Sequence, residues 1–411
     1  MRAMTRLSTA AITAAAVLSA TAGSASAFGA RPGHGIRSDH HGVQARRQAH
    51  GFAPARPPVI HAPVIHLPGA QHAVFVQTDN TAGNQVVVYD RDGDGALTLL
   101  AIYDTGGLGG VLAGSEVDHL ASQGSLAYDP ANGLLYAVNA GSNTISVFSV
   151  SGDALSLRQV ISSGGSFPVS IAVSHGLVYV LNAEEGGVVQ GYTVAFGHLF
   201  AIPGSSRPLG LNPAATPQFT NTPGQVAFSP DGSSLIVTTK ENGSDIDVFR
   251  VGAFGQLSPT PVVNSEPGTV PFGVTFDPEG DLVVADSAGF LASFALNPNG
   301  TVSQLDSLAT GQAATCWVAP DGSLFFASNA GSASLSGFQS GAGGALTSLG
   351  NTETDAGTVD ASVSGDGRFI YVQTGKAGIV DEFAIGVGGA LVKIGSVTVP
   401  GAVGGEGIVA Q

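Results

Sequence analysis

The chain contains 411 residues, of which 43% are hydrophobic and 11% are charged, and its formal net charge at pH 7 is −15. Residues 70–411 hold 29 of the 30 acidic and 8 of the 15 basic side chains, so this part should repel nucleic acid and anionic membrane surfaces. Cys316 is the single cysteine, which excludes an intramolecular disulfide.

Residues 1–27 are typical of a cleaved secretory signal. Arg2 and Arg6 precede a stretch rich in Ala, Leu and Val, which ends at the small residues 25–27. The stretch is too short to span a membrane, and no later segment approaches the ~20 apolar residues that a spanning helix needs. We therefore expect a secreted protein of the extracellular, periplasmic or cell-wall space.

Residues 28–69 are rich in Ala, Pro, Gly, His and Arg and contain six of the ten histidines. Low hydrophobic content and scattered prolines favour a disordered arm. The histidines could bind zinc or nickel weakly, but their spacing fits no zinc-site pattern. A solvated linker without a metal is the better interpretation.

From residue 70 to 411 one pattern recurs seven times. The clearest copy, Pro223–Val263, has an apolar strand, a Pro-Asp-Gly turn, a second apolar strand, a polar loop, an alternating strand, a Gly turn and a last strand. Short strands between Gly, Pro and Asp signals indicate an all-β fold. A repeat of about 40–50 residues is typical of a propeller. The sequence therefore predicts a seven-bladed β-propeller of four-stranded antiparallel blades.

The count of strands predicts how the ring closes. Seven second strands are recognisable, beginning at Ala73, Leu134, Leu177, Leu235, Leu282, Leu324 and Phe369. Only six first strands lie inside the repeats. Because the C-terminal Gly404–Gln411 is similar to the opening of the clearest copy, we predict that it supplies the inner strand of the first blade. Such a closure leaves no open sheet edge.

The segment Asp90–Gly95 (DRDGDG) matches the start of a calcium loop, in which alternate carboxylates converge on one cation. The twelfth position is Ala101 instead of Glu, and strands flank the segment instead of helices. It also coincides with a hairpin that in other blades reads Gly-x-Leu without carboxylates. We favour an acidic turn over a metal site, and we expect no cofactor.

Two long insertions mark one face of the predicted propeller. The loops that precede inner strands and those that join second to third strands share this face, which we call the mouth face. Both Asp104–Gln123 and Pro203–Thr222 fall on it, whereas ordinary turns need only a few residues. Convergent polar groups at a concavity favour a site for a small-molecule ligand there.

The order of blades, the Pro-Asp-Gly turns and the PGQVAFSPDG segment resemble the seven-bladed propeller lactonases, which include 6-phosphogluconolactonases and 3-carboxymuconate cyclases. The resemblance covers about residues 71–411. It implies hydrolysis of a lactone by Glu, His and Arg at the mouth face. There is one departure, because Gln123 and Ser125 stand where a family histidine is expected.

The resemblance points to three catalytic residues, and polar side chains that the blade topology places at the mouth face supply four substrate-binding candidates. Lactone hydrolysis needs a base for water and donors for the oxyanion. Glu241 follows a second strand as the family's glutamate does, with Lys240 in place of an asparagine, and His119 and Arg207 lie in the two insertions. The substrate-binding candidates are Lys240, Gln225, Asp360 and Thr315.

Two functions stay open at this point. One is a secreted lactonase-like enzyme, a monomer that hydrolyses a neutral or weakly charged lactone. The other is a non-catalytic propeller of the cell exterior that binds a glycan, a peptide or a cell-envelope component. The excess of acidic residues disfavours a phosphorylated substrate in either case.

Overall fold

The computed structural model describes residues 72–411, so the predictions for residues 1–27 and 28–69 lie outside the described residues. The described chain forms seven sheets of antiparallel strands arranged as the blades of a ring. This confirms the predicted seven-bladed all-β propeller. Among the described residues, no helix is long and apolar enough to cross a membrane.

The strands of the first four blades are as follows: blade I, β1 (Ala73–Gln77), β2 (Gln85–Arg91), β3 (Leu97–Asp104) and β29 (Ile408–Ala410); blade II, β4 (Leu126–Asp129), β5 (Leu134–Asn139), β6 (Thr144–Ser151) and β7 (Ala154–Ser162); blade III, β8 (Pro168–Ser174), β9 (Leu177–Asn182), β10 (Val188–Ala195), β11 (His198–Ala201) and the short β12 (Arg207–Pro208); blade IV, β13 (Gln225–Phe228), β14 (Ser234–Thr238), β15 (Asp245–Arg250) and β16 (Val262–Ser265).

The strands of the last three blades are as follows: blade V, β17 (Pro271–Phe276), β18 (Leu282–Asp286), β19 (Phe290–Leu296) and β20 (Val302–Ala309); blade VI, β21 (Thr315–Asp321), β22 (Leu324–Asn329), β23 (Ser334–Ser340) and β24 (Leu346–Glu353); blade VII, β25 (Thr358–Val363), β26 (Phe369–Thr374), β27 (Ile379–Ile385) and β28 (Leu391–Thr398). Short 3-10 helices occupy Ala140–Ser142, Gln218–Thr220, Ala342–Gly344 and Val387–Gly389.

The second strand of each blade is apolar because neighbouring blades pack against both of its faces. All five residues of β1 and all six of β5 and β26 are buried. The outermost strands alternate instead, and β7 and β28 leave most of their side chains partly or fully exposed. Each predicted second strand begins within one residue of an observed strand, which confirms the assignment of the repeats.

The Gly-x-Leu hairpin before the fourth strand joins adjacent blades. In blade I the carbonyl of Gly95 accepts a hydrogen bond of 2.8 Å from the Tyr371 hydroxyl of blade VII, and in blade IV Gly255 accepts one from Tyr179 of blade III. The leucines of these hairpins, Leu97 and Leu257, are buried. The motif recurs because it supplies a carbonyl and an apolar side chain to the neighbouring blade.

The acidic segment Asp90–Gly95 forms a capped hairpin turn. Asp92 Oδ1 accepts hydrogen bonds from the backbone amides of Asp94 (2.9 Å) and Ala96 (3.1 Å). Such bonds are typical of aspartate in tight turns. Among residues 72–411, no three His, Cys, Asp or Glu side chains are placed to hold a metal ion together.

The ring is closed by the C-terminal strand, as predicted. β29 pairs with β1 in an antiparallel register that joins Val74 to Ala410 and Val76 to Ile408. The buried Arg91 reinforces this closure, because its guanidinium donates to the Gln411 carbonyl (3.2 Å) and to Asp366 of blade VII (3.1 Å).

We predict that deletion of residues 408–411 lowers the melting temperature by more than 10 °C and causes aggregation. The deletion opens two sheet edges and removes one partner of Arg91, and open edges template association. Calorimetry and light scattering would measure both effects. Val392→Thr, on the exposed face of β28, is the control and should change stability by less than about 0.5 kcal/mol. Equal melting of truncated and parent protein would contradict the closing role.

Candidate functional site

The segment between β3 and β4, residues 105–125, lies across the inner strands at the mouth face, and we call it the mouth segment. Its hydrogen-bond partners come from blades on all sides of the ring: Gly404 at the start of blade I, Val169 of blade III, Gly224 of blade IV and Val318 of blade VI. The first of the two long insertions therefore covers the inner ends of the blades.

Several side chains of the mouth segment are also held in place by hydrogen bonds or by burial. The Gln123 side chain donates to the Val318 carbonyl (2.9 Å) and accepts from the Val318 amide (3.0 Å), as a neighbouring strand would. Leu120 and Ser122 are fully buried, and the Ser122 carbonyl accepts from the Trp317 indole. Residues 118–125 of the mouth segment are thus buried or half-buried, whereas Leu108 and Val111 earlier in the segment stay exposed.

Four buried carboxyl groups lie close together at the propeller axis, Asp118 of the mouth segment with Asp79, Asp360 and Glu406 of blades I and VII, and none is more than 4% exposed. Burial raises the pKa of Asp79, Asp118 and Asp360 to about 7 in each case. Burial, together with repulsion from the three aspartates, also raises the pKa of Glu406 well above its usual range. At least part of this group is therefore protonated at neutral pH.

Hydrogen bonds hold the axial carboxyl groups in place. Asp118 accepts from the amides of Leu120 (2.9 Å) and Ser122 (3.0 Å), which fixes the turn of the mouth segment. Asp79 Oδ2 accepts from the Glu406 amide (2.8 Å). Glu406 Oε2 is buried without a hydrogen-bond partner, so this oxygen of the axial carboxyl groups is free to accept a hydrogen bond.

Lys240 is a buried lysine on the side of blade IV that faces the mouth segment. Its Nζ donates to the carbonyls of Ala121 and Phe219, both at 2.6 Å, and to the Thr222 hydroxyl at 3.0 Å. Burial lowers the pKa of Lys240 to about 7, against the attraction of Asp118. The side chain therefore secures both long insertions to blade IV, and it can lose its proton near neutral pH.

No hydrogen bond or ion pair joins the three predicted catalytic residues to one another. His119 lies in the mouth segment with its ring against Gly404, a glycine with φ of 77° where a Cβ would collide with the imidazole. Burial lowers the pKa of His119, against a hydrogen bond to the Asp79 backbone that raises it, and Nδ1 of the ring is shielded from solvent without a partner. Glu241 is exposed and accepts only from the Thr220 hydroxyl, at 2.7 Å.

Arg207 belongs to β12 at the outer part of blade III. Its guanidinium donates to the carbonyls of Gly204, Ser206, Leu257 and Ser258, at 2.7–2.8 Å. These bonds join blade III to blade IV, and they engage all three guanidinium nitrogens of Arg207. Use of Arg207 as an oxyanion donor would require them to break, so its catalytic role stays a prediction, as do those of His119 and Glu241.

The predicted substrate-binding residues lie in different places. Asp360 and Lys240 are buried near the axis, as described above. Gln225 accepts from the Val274 amide (2.6 Å) and joins blade IV to blade V. Thr315 is fully buried and donates to Asn329 Oδ1 (2.6 Å) inside blade VI. A substrate at the axis would therefore contact Asp360 and Lys240 more readily than Gln225 and Thr315.

Of the four axial carboxyl groups, only Asp360 was assigned a catalytic or substrate-binding role from the sequence. Each of the other three carried a usable signal, because Asp79 follows a second strand, Asp118 lies in a long mouth-face insertion and Glu406 precedes the closing strand. All three positions place a side chain at the mouth face of a propeller. Their convergence could not be seen because it depends on the path of the mouth segment.

Comparison with known proteins agrees with this architecture. Residues 115–404 match the family model described as a seven-bladed β-propeller lactonase. The chain belongs to the seven-bladed β-propeller lactonase family. No curated protein sequence matches it.

Solved structures share the fold of this lactonase-family propeller at low sequence identity. A periplasmic gluconolactonase of Pseudomonas aeruginosa is 20% identical, with a TM-score of 0.63 over 82% of this chain and 98% of that one. A Lactobacillus plantarum protein is 21% identical, with a TM-score of 0.65 over 82% and 99%. A Bacteroides fragilis protein described as a candidate 6-phosphogluconolactonase is 17% identical, with a TM-score of 0.64 over 80% and 96%.

The axial carboxyl groups predict that the lactonase-family propeller loses stability as the pH rises from about 4 to about 7. Their folded-state pKa values lie above the ordinary value of 3.8, so in this window the folded chain keeps protons that the unfolded chain releases. Each group that behaves independently contributes a slope of up to about 1.4 kcal/mol per pH unit. Lys240, whose pKa is lowered, acts in the opposite direction only above about pH 7.

Denaturant melts between pH 4 and pH 7 would measure this slope. Asp360→Asn removes one of the titrating groups and should make the slope shallower. Glu353→Gln, at an exposed outer-strand carboxylate, should leave it as in the parent. A stability that stays flat or rises with pH across this window would show that the axial groups do not keep their protons in the folded chain.

Proposed function

We propose that this lactonase-family propeller is an exported enzyme that hydrolyses a neutral or weakly charged lactone at its mouth face. One observation supports this function above the others. His119, whose burial disfavours the charged imidazolium, keeps an unbonded Nδ1 beside Asp118, one of the four axial carboxyl groups. A base and protonated acids in one region are the groups that ester hydrolysis uses.

In the proposed reaction a water oxygen attacks the lactone carbonyl carbon while the base takes the water proton. The ring C–O bond then breaks, and the ring oxygen takes a proton to give the open hydroxy acid. We assign the base to His119 and keep Glu241 as the second candidate. Because His119 Nδ1 is shielded from solvent, the substrate reaches it only when the mouth segment moves from Gly404.

Substitution of the two candidate bases tests this assignment. We predict that His119→Gln lowers kcat for lactone hydrolysis by ~10²–10⁴, the usual contribution of a general base, and leaves the melting temperature within 3 °C. Glu241→Gln should then change kcat less than threefold. The opposite pattern would transfer the base role to Glu241, and Arg207→Ala would show by KM or kcat whether its guanidinium takes part.

The acidic surface predicts which lactones are preferred. Residues 70–411 carry 29 of the 30 acidic side chains but only 8 of the 15 basic ones, so an anionic substrate is repelled during approach. Gluconolactone should therefore have a higher kcat/KM than 6-phosphogluconolactone. The difference should shrink at 0.5 M salt, because salt screens charges that lie beyond a few ångströms. A preference for the phosphorylated lactone would contradict this argument.

The second function, a non-catalytic propeller that binds a cell-envelope glycan or peptide, also has an observation in its favour. Residues 118–125 of the mouth segment are buried or half-buried, and the Arg207 guanidinium is occupied by four carbonyls. A panel of aliphatic, sugar and homoserine lactones separates the two functions. If folded protein turns over none of them, the binding function replaces the enzymatic one.

The location and assembly state belong to the same proposal. Residues 1–27 would direct export and be removed, and the mature chain would work as a monomer in the extracellular, periplasmic or cell-wall space. N-terminal sequencing of protein recovered outside the cytoplasm, together with light scattering of the purified protein, would test both statements.

A further inference from the structure

A cavity of about 190 Å³ lies between blades IV and V, apart from the axis. Its walls are mostly apolar and come from both blades, with Ile246 on one side and Val284 and Ala292 on the other. Gln304 and Ser307 of the outer strand β20 stand at its exposed side. The cavity is smaller than the ~300–1,000 Å³ of a drug-sized pocket, so it suits a ligand of a few heavy atoms.

Two carboxylates line this mostly apolar cavity, that of the buried Asp286 and that of the half-buried Glu266. Asp286, only 6% exposed, ends β18, and Glu266 lies in the loop between β16 and β17. Asp286 Oδ1 accepts from the amides of Val270 (2.8 Å) and Ala288 (2.9 Å), which leaves Oδ2 unbonded. The Glu266 carboxylate has no hydrogen bond, and no described lysine or arginine pairs with either group.

This arrangement leaves negative charge without a counterion. Burial, together with mutual repulsion, raises the pKa of Glu266, and burial raises that of Asp286. A buried carboxylate without a cationic partner costs stability, and a bound cation would remove that cost. The cavity therefore has the charge complementarity of a cation site.

The lining favours an organic cation over a metal ion. Calcium takes six to eight oxygen ligands, whereas carbon atoms make up most of this wall, and Phe290 and Phe294 contribute aromatic rings. Aromatic rings attract ammonium groups, and apolar walls accommodate an alkyl chain.

We propose that the cavity between blades IV and V binds a small primary alkylammonium ion, with the ammonium between Glu266 and Asp286 and the alkyl chain against the two phenylalanines. The site is separate from the lactone chemistry proposed above and does not depend on it. It gives the acidic propeller a pocket for a ligand of the opposite charge.

Calorimetric titration of the purified protein with n-butylammonium chloride tests the proposal, with 1-butanol and butyrate as neutral and anionic ligands of matched shape. Potassium chloride at the same ionic strength corrects for screening. We expect saturable binding of butylammonium and none of butanol or butyrate. Absence of saturable butylammonium binding, or equal binding of butanol, would overturn the proposal.

Variants locate the site. Asp286→Asn keeps an oxygen for the two backbone amides, and Glu266→Gln changes a side chain without hydrogen bonds, so both should fold and bind butylammonium at least tenfold more weakly. Ala292→Leu fills the cavity without changing its charge and should abolish binding. Glu353→Gln, an exposed carboxylate on blade VI, should bind as the parent does. Unchanged affinity in Glu266→Gln and Ala292→Leu would place the ligand elsewhere and refute the site.

Discussion

The pairing of β29 with β1 is the interaction on which the remaining structure depends. It joins the two ends of the described chain, and the register is short, with backbone hydrogen bonds at Gln77 and Gln411 beyond it. Closure gives every blade a neighbour on both sides, so each second strand can be buried on both of its faces. It also delivers Glu406 to the axis, two residues before β29 begins. The ring and the axial carboxyl groups are thus products of the same pairing.

Burial of ionisable groups at the axis lowers the stability of the folded propeller, and the packing of the closed ring has to offset this loss. Lys240 and the carboxyl group of Asp118 are both buried, yet Lys240 Nζ is bonded to neutral oxygens. Burial of charge without close pairing shifts pKa values toward neutrality and lowers stability. Groups that titrate near neutral pH are also those that can exchange protons with a substrate. The same burial therefore connects the stability of this propeller with the chemistry proposed for it.

The sequence predicted the architecture well because the repeat makes the same strand pattern visible seven times, and the missing first strand identified Gly404–Gln411 as the closing one. The arrangement of the candidate site was harder to predict from the sequence. The path of the mouth segment depends on bonds to residues as distant in sequence as Val318, which no local pattern encodes. Lys240 has a φ of 55°, an unusual backbone conformation for lysine. At this turn Lys240 is buried and Glu241 is exposed, although the two adjoin in sequence.

The mouth segment connects blades that are not neighbours in the ring. In most repeat proteins each unit contacts only its immediate neighbours, and local openings are independent beyond that range. Here residues 105–125 bond to blades I, III, IV and VI, which are not all adjacent in the ring. An opening at one inner strand must disturb a bond shared with a blade across the axis. Amide hydrogens of the inner strands should therefore exchange with solvent as one cooperative unit, while outer strands such as β7 and β28 open blade by blade.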